Sequence, residues 1–284
     1  SNRVKGLKNG LLISFNDRVS ENQIDERVCF LKESLGQKVN PTNLYNYSLN
    51  DEHQGESHCQ YPSIQIDLLK EFYTKLGKLN VSPDENIYPL GSCTMKYNPY
   101  LNDYNASLPG FTSVHPQAPI NDVQGCLEVL HSIQERFKEI TGVPGVTTQP
   151  VAGAQGELVG IKLFQAYHKN NGEVRNVILI PKSAHGTNPA SAQMCGMKIS
   201  IVKCDENGNV DLANLNTKII EAGNDLAALM ITYPSTHGVF EESISEICKS
   251  IHGTGGLVYM DGANLNALVG IAKPGKFGPD VSHM

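Results

Sequence analysis

Three short polar strings, each directly after an apolar run, hold most of the side chains that could do chemistry. They are Ser183-Ala184-His185-Gly186-Thr187-Asn188, Thr232-Tyr233-Pro234-Ser235-Thr236-His237 and Asp261-Gly262-Ala263-Asn264. A fourth string, Val151-Ala152-Gly153-Ala154-Gln155-Gly156-Glu157, is a small-residue turn that opens a helical pattern. A buried Asp261 needs a partner, because an unpaired buried charge is strongly unfavourable, and a protonated ring nitrogen would serve. It could equally cap the helix that follows. His185, between small residues, reads either as a satisfied loop histidine or as a ring lying flat on an aromatic cofactor. The amides near Gly153, with the helix dipole behind them, form an anion site that suits phosphate. The same turn is also an ordinary helix start, being neither G-x-G-x-x-G nor a Walker A motif.

Other chemistries have less to stand on. There is no H-E-x-x-H and no C-x-x-C, and the histidines in or next to the conspicuous strings (His115, His185, His237, His252 and His283) lack close ligand spacing, so no metal site is expected. No G-x-S-x-G elbow supplies a serine nucleophile. Cys93 lies in a glycine loop but has no identifiable base, which leaves it an inert thiol as readily as a nucleophile. The seven cysteines are odd in number and scattered, which fits a reducing compartment better than a disulfide framework. A net charge of −6 offers no basic footprint for nucleic acid. The longest apolar run, Leu226 to Ile231, is far short of the ~20 residues of a membrane span.

The elements that must position these strings follow from periodicity. The length of 284 residues allows one large α/β domain or two ordinary ones. Residues 1–60 are polar and irregular, with one short helix expected around Ile24 to Leu35, and are left unassigned as an N-terminal extension. Residues 61–120 hold a helical stripe from Ile64 to Leu79 and then a Gly/Pro-rich stretch read as a long ordered loop, with functional length. Residues 121–284 form the main domain. It opens with a helix that Gly142 stops, and continues with apolar runs at Val177 to Ile180, Ile199 to Val202, Leu226 to Ile231 and Leu257 to Met260. Helical segments at Ala154 to His168, Leu212 to Ala222 and Ser243 to His252 alternate with them. This alternation predicts a mostly parallel sheet with helices on both faces. Its ligand site should lie outside the carboxyl ends of the strands, where the polar strings converge.

The strings carry a resemblance that composition could not supply. Tyr88-Pro89-Leu90-Gly91-Ser92-Cys93-Thr94-Met95-Lys96, Ala152 to Glu157, Ser183 to Ala192, Ile231 to Glu241 and Asp261 to Ala267, in unbroken order, resemble the C-terminal half of the glycine decarboxylase family. These are the pyridoxal-phosphate-dependent P-proteins of the glycine cleavage system, which also occur as subunit 2 of a two-subunit form. The resemblance implies the aspartate-aminotransferase-like fold of PLP-dependent enzymes (fold type I). It implies that Asp261 pairs with the pyridine nitrogen and that His185 stacks on the ring. It also implies that Gly153, Ala154 and Gln155 hold the phosphate, that Ser235, Thr236 and Ala263 line the cofactor, and that the Ser92 to Thr94 loop closes on the substrate, with Thr94 in the catalytic set. The implied activity is decarboxylation of glycine with transfer of the aminomethyl group to lipoylated H-protein. A partner subunit 1 or N-terminal half and an oligomeric assembly come with it, in the bacterial cytoplasm or, in a eukaryote, the mitochondrial matrix.

One departure stands out. In the family, Ser282-His283 leads into a segment whose lysine bonds covalently to the cofactor, and this sequence stops at Met284. Neither Lys273 nor Lys276, in a Pro/Gly turn, matches that lysine. The chain is therefore expected to lack the covalent lysine, to be incomplete at its C-terminus with a strand starting at Met284, and to be inactive alone. Two other readings remain open: another fold-type-I PLP enzyme such as an aminotransferase or cysteine desulfurase, and a non-catalytic partner chain. The Gly91-to-Lys96 loop separates the first of these from the family, and the presence of the lysine separates the second.

Overall fold

The computed structural model describes residues 20–36, 63–81, 86, 97–115 and 117–284. The Tyr88-to-Lys96 string, with Ser92, Cys93 and Thr94, lies outside the described residues, as does most of the N-terminal extension. The chain divides into two units, Ser1–Tyr73 and Thr74–Met284. In the first, α1 (Glu21–Leu35) begins with a capping box. Ser20 Oγ accepts from the Gln23 amide while Gln23 Oε1 accepts from the Ser20 amide, and Gly36 closes the helix in the left-handed region. The unit boundary falls within α2 (Ile66–Gly77), which has apolar residues along one side and no buried residue.

In the second unit, two short helices, α3 (Tyr100–Ala106) and α4 (Pro109–Thr112), lie in the stretch expected to be loop. Pro99 precedes the first of them, and Pro109 starts the second, where a missing N–H costs nothing. Proline here marks helix starts as well as breaks. Helix α5 (Gln124–Thr141) ends at Gly142 (φ 75°), as its periodicity predicts.

The sheet is then built by α6 (Gly153–Asn170), β1 (Val177–Pro181), α7 (Thr187–Met194), β2 (Lys198–Val202), α8 (Leu212–Ala222), β3 (Leu226–Thr232), α9 (Ile244–His252), β4 (Leu257–Asp261) and β5 (Val281–His283). Strand order is β2-β1-β3-β4-β5, with every pairing parallel. The strand expected to begin at Met284 is already in place as β5, paired with β4 from Tyr259↔Val281 to Asp261↔His283. Its three residues are too few for an apolar run to reveal.

Alternation along the strands separates two cores. Leu179, Leu229, Ile231, Val258 and Met260 face α8 and α9 through Leu215, Ile219, Ile247 and Ile251. Ile178, Ile180, Ala228, Met230 and Tyr259 face α6 and α7 through Ile161, Phe164 and Ala192. Strand β3, buried at all seven positions, is the centre of the sheet. The chain runs outward from β1 to β2 and returns to the other side of β1 with β3, so the order reverses between β1 and β3. In open α/β sheets, the crevice at the carboxyl ends beside such a reversal is where ligands bind.

Cys248 belongs to the α9 core, with 1% of its surface exposed. Burial, with the nearby charge of Asp280, pushes its thiol up to about 11. Native protein treated with iodoacetamide at pH 8 is therefore expected to keep Cys248 unmodified, with modification appearing only after denaturation. Mass spectrometry of the tryptic peptide reads the result, and rapid native labelling would show that α9 opens.

Candidate active site

Asp261 ends β4 with 3% of its surface exposed, and both its oxygens are engaged. Oδ1 accepts from the Ala263 amide at 3.1 Å and faces His283 Nε2 at 3.1 Å. Oδ2 accepts from Asn188 Nδ2 at 3.0 Å and, more weakly, from Thr232 Oγ1 at 3.4 Å. Burial alone would raise this carboxyl. The hydrogen bond and charge of His283, with the donors of Asn188 and Ala263, outweigh it and hold the group below its ordinary 3.8. Because the folded value lies below the unfolded one, the resulting stabilisation is complete above the ordinary carboxylate range. It is lost as pH falls through the lowered folded value, so the acid limb of this group lies below neutrality. At neutral pH Asp261 is therefore ionised.

The partner that sequence left unnamed for Asp261 is thus a set. Asn188 comes from the first turn of α7, Thr232 from the end of β3, and His283 from β5. His283 Nδ1 also lies 2.7 Å from the Tyr259 hydroxyl. Burial first, then the charges of Glu157 and Asp261, push the Tyr259 phenol strongly upward, so it stays protonated. Asp261 does not cap the helix that follows, since the short 3-10 helix Leu265–Ala267 has Asn264 at its N-cap; Oδ1 of Asp261 closes a turn at Ala263 while Oδ2 points to other elements.

The remaining expected residues fall as follows. Helix α6 begins at Gly153 with Ala152 as N-cap and no capping side chain, so the first-turn amides around Gly153, Ala154 and Gln155 have no side-chain acceptor. The Gln155 side chain turns back to accept from the Val151 amide at 2.7 Å. Gly153 is half-buried, with Ala154 and Gln155 exposed. His185 follows β1, is exposed, and has Nδ1 2.8 Å from Thr187 Oγ1. Ser235 is buried, and its Oγ accepts from the His237 and Val239 amides, so its oxygen closes its own turn; Thr236 is exposed. The cis Tyr233–Pro234 peptide precedes that turn, and Asn264 Nδ2 donates to the Pro234 carbonyl, tying the loops after β3 and β4 together.

Sequence reading missed four residues here: Glu157, Asn188, Tyr259 and His283. Glu157 has 2% of its surface exposed and accepts from Thr187 Oγ1 (2.7 Å), Asn188 Nδ2 (3.0 Å) and Ser191 Oγ (2.7 Å). Its signal was a lone acid among small residues at a helix start, a position where acids are common. Glu157, Asp261 and His283 each bring one ligand-type atom within 4.8 Å of the others, a cluster the histidine spacing did not suggest. All three are hydrogen-bonded within the protein.

The residues present fit an anionic aromatic cofactor with a ring N–H. Oδ2 of Asp261 has one short and one long donor, so it keeps acceptor capacity for the N–H of a bound ring. An uncapped helix start and an exposed imidazole belong to the same end of the sheet.

Known proteins resemble this chain in sequence and in fold. No family model matches the chain. It is 48% identical over 257 residues to glycine dehydrogenase (decarboxylating) of Pelagibacter ubique, covering 89% of this chain and 27% of that protein. It is 52% identical over 225 residues to the probable glycine dehydrogenase (decarboxylating) subunit 2 of Chlorobaculum tepidum, covering 79% of this chain and 46% of that one. The chain thus spans from about a quarter to just under half of these relatives' lengths. A crystal structure of glycine decarboxylase (P-protein) of the glycine cleavage system, in inhibitor-bound form, superposes with a TM-score of 0.67 over 95% of this chain and 57% of that one. At 17% identity that likeness speaks for the fold, which is the fold-type-I architecture of PLP-dependent enzymes. Among the described residues no helix is long and apolar enough to cross a membrane. By its identity to these relatives, the chain belongs to the glycine dehydrogenase (decarboxylating) family.

Proposed function

We propose that the full-length protein carrying this chain decarboxylates glycine with pyridoxal phosphate and passes the aminomethyl group to the lipoyl arm of H-protein. In this reading it works with a partner subunit 1 or N-terminal half, in the bacterial cytoplasm or, in a eukaryote, the mitochondrial matrix. The observation that carries the reading is the identity of about half the aligned residues to relatives of that name, one of them called subunit 2. The chemistry the cofactor supplies when bound is an electron sink for the pair released from the breaking Cα–carboxylate bond.

Each residue of the chain then has a task. Asp261, kept ionised by His283, Asn188 and Ala263, holds a proton on the ring nitrogen, a charge-assisted bond worth roughly 1.5–3 kcal/mol. The first-turn amides of α6, around Gly153, Ala154 and Gln155, bind the phosphate with the helix dipole behind them. His185 covers one face of the ring. Thr236 and Ala263 line the edge of the site, Ser235 shapes the loop beneath it, and the Ser92-to-Thr94 loop closes over glycine to exclude water.

The test is exchange of the glycine carboxyl group with labelled bicarbonate, using the full-length protein, its partner subunit and lipoylated H-protein. Exchange that requires all three is expected. Transamination of larger amino acids without any exchange would sink the reading.

A further inference from the structure

We infer that Glu157 is a positioning residue, a buried carboxylate that ties together the three groups that would hold separate parts of the cofactor. The inference rests on the cofactor reading above. Glu157 lies in the first turn and a half of α6, on the element whose uncapped amides face the phosphate. Its Oε1 accepts from Thr187 Oγ1 at 2.7 Å, and the same hydroxyl oxygen lies 2.8 Å from His185 Nδ1. That arm reaches the ring face. Oε1 also accepts from Asn188 Nδ2 at 3.0 Å, and the second hydrogen of that amide goes to Asp261 Oδ2 at 3.0 Å. That arm reaches the ring nitrogen. The third partner, Ser191 Oγ on Oε2 at 2.7 Å, leads no further toward the site and anchors the carboxylate on α7.

The chemistry of the bridge makes the coupling stiff. Two carboxylates cannot hydrogen-bond each other while both lack a proton, so a donor must stand between them, and an amide NH2 has one hydrogen for each. Asn188 is planar, fully buried, and takes a long contact from Thr232 Oγ1 on its Oδ1. Its orientation cannot reverse without setting an oxygen against both acids. A shift of α6 therefore moves the phosphate-facing amides, the His185 ring and the Asp261 oxygen together.

Four variants of the full-length protein, titrated with pyridoxal phosphate and followed by the absorption and circular dichroism of the bound cofactor, test this. E157A removes both arms and the anchor, and the dissociation constant is expected to rise about tenfold or more, with altered dichroism. E157Q keeps an acceptor at Oε1 for Thr187 and Asn188 and turns its NH2 to the Ser191 hydroxyl, so it should restore most of the loss seen in E157A. T187V cuts only the side-chain arm to His185, leaving the Thr187 amide that donates to its Nδ1 at 3.2 Å, and is expected to change the dichroism even if E157A fails to fold. S191A removes only the anchor and should lower the melting temperature without changing the bound spectrum.

Wild-type dichroism and affinity in E157A or T187V would overturn the inference while leaving the cofactor reading intact. So would a spectral change in S191A equal to that in T187V, which would make Glu157 a fold support only. Failure of the unsubstituted protein to bind pyridoxal phosphate would overturn the cofactor reading and this inference with it.

Discussion

Asp261→Asn in the full-length protein is expected to lower glycine–bicarbonate exchange by about three orders of magnitude, on the ~4 kcal/mol scale of losing an electrostatic partner to developing charge. The variant keeps the shape of the side chain and removes the charge that holds the ring proton. It also introduces a conflict that can be read off the contacts. If the new amide turns its oxygen toward the Ala263 amide and His283, its NH2 meets the NH2 of Asn188. Rotating Asn188 to relieve this would set its oxygen against Glu157. Each arrangement leaves a buried mismatch of roughly 1–3 kcal/mol. Thermal unfolding should therefore show a modest loss of stability beside a far larger loss of exchange. Near-normal exchange would show that Asp261 serves only to close the turn at Ala263.

The frame of the site was legible because its signals are local. The run Leu226 to Ile231 became β3 with one residue added, and Leu212 to Ala222 matched α8. Once the strands were placed, the rule that ligands sit at their carboxyl ends brought His185, Ser235 and Asp261 to one end of the sheet. The partners of those residues were not legible. Asn188 and Asp261 are 73 positions apart, Asn188 and Glu157 31, and no periodicity relates them. His283 was weighed for metal spacing and as the lead into the family's lysine segment, whereas its contact with Asp261 comes from the pairing of β5 with β4, which sets the two opposite each other. Ser235 was expected to line the cofactor, and only the fold of its loop shows the oxygen closing its own turn. The Gly/Pro-rich stretch was read as loop because proline breaks helices in their interiors, but Pro99 and Pro109 sit where helices begin.

Glycine in the α6 sequence was read for what it offers a phosphate, and the structure gives part of it a different task, from which the second large effect follows. A Cβ on Gly153 or Gly156 would meet His283, at 3.0 Å from Nε2 and 2.9 Å from Cβ respectively. On Gly160 it would run into the Tyr259 ring, against Cε2 and 2.6 Å from Cδ2, with Val281 Cγ1 at 3.2 Å. These positions, spaced i, i+3, i+7, form one face of α6 laid directly on β4 and β5. The Tyr259 ring cannot step aside. It is fully buried, edge-on to Phe164 with centroids 6.4 Å apart, and its hydroxyl is bonded to His283. Gly160→Ala gains up to about 1 kcal/mol of helix propensity but overpacks a rigid contact, at a cost of about 1–3 kcal/mol or more. A net loss of stability is expected, with a lowered thermal midpoint in the full-length protein. Relief of the clash must either tilt α6, which carries Glu157 and the phosphate-facing amides, or shift Tyr259 and with it His283. Cofactor affinity should therefore fall along with stability. Gly125→Ala, in the first turn of α5 where an added Cβ meets nothing within 4 Å, is the control expected to leave cofactor affinity unchanged and stability unchanged or raised by up to about 1 kcal/mol. A Gly160→Ala protein as stable as the parent would mean that α6 does not approach the sheet this closely, and the coupling of phosphate site to Asp261 through that contact would fall with it.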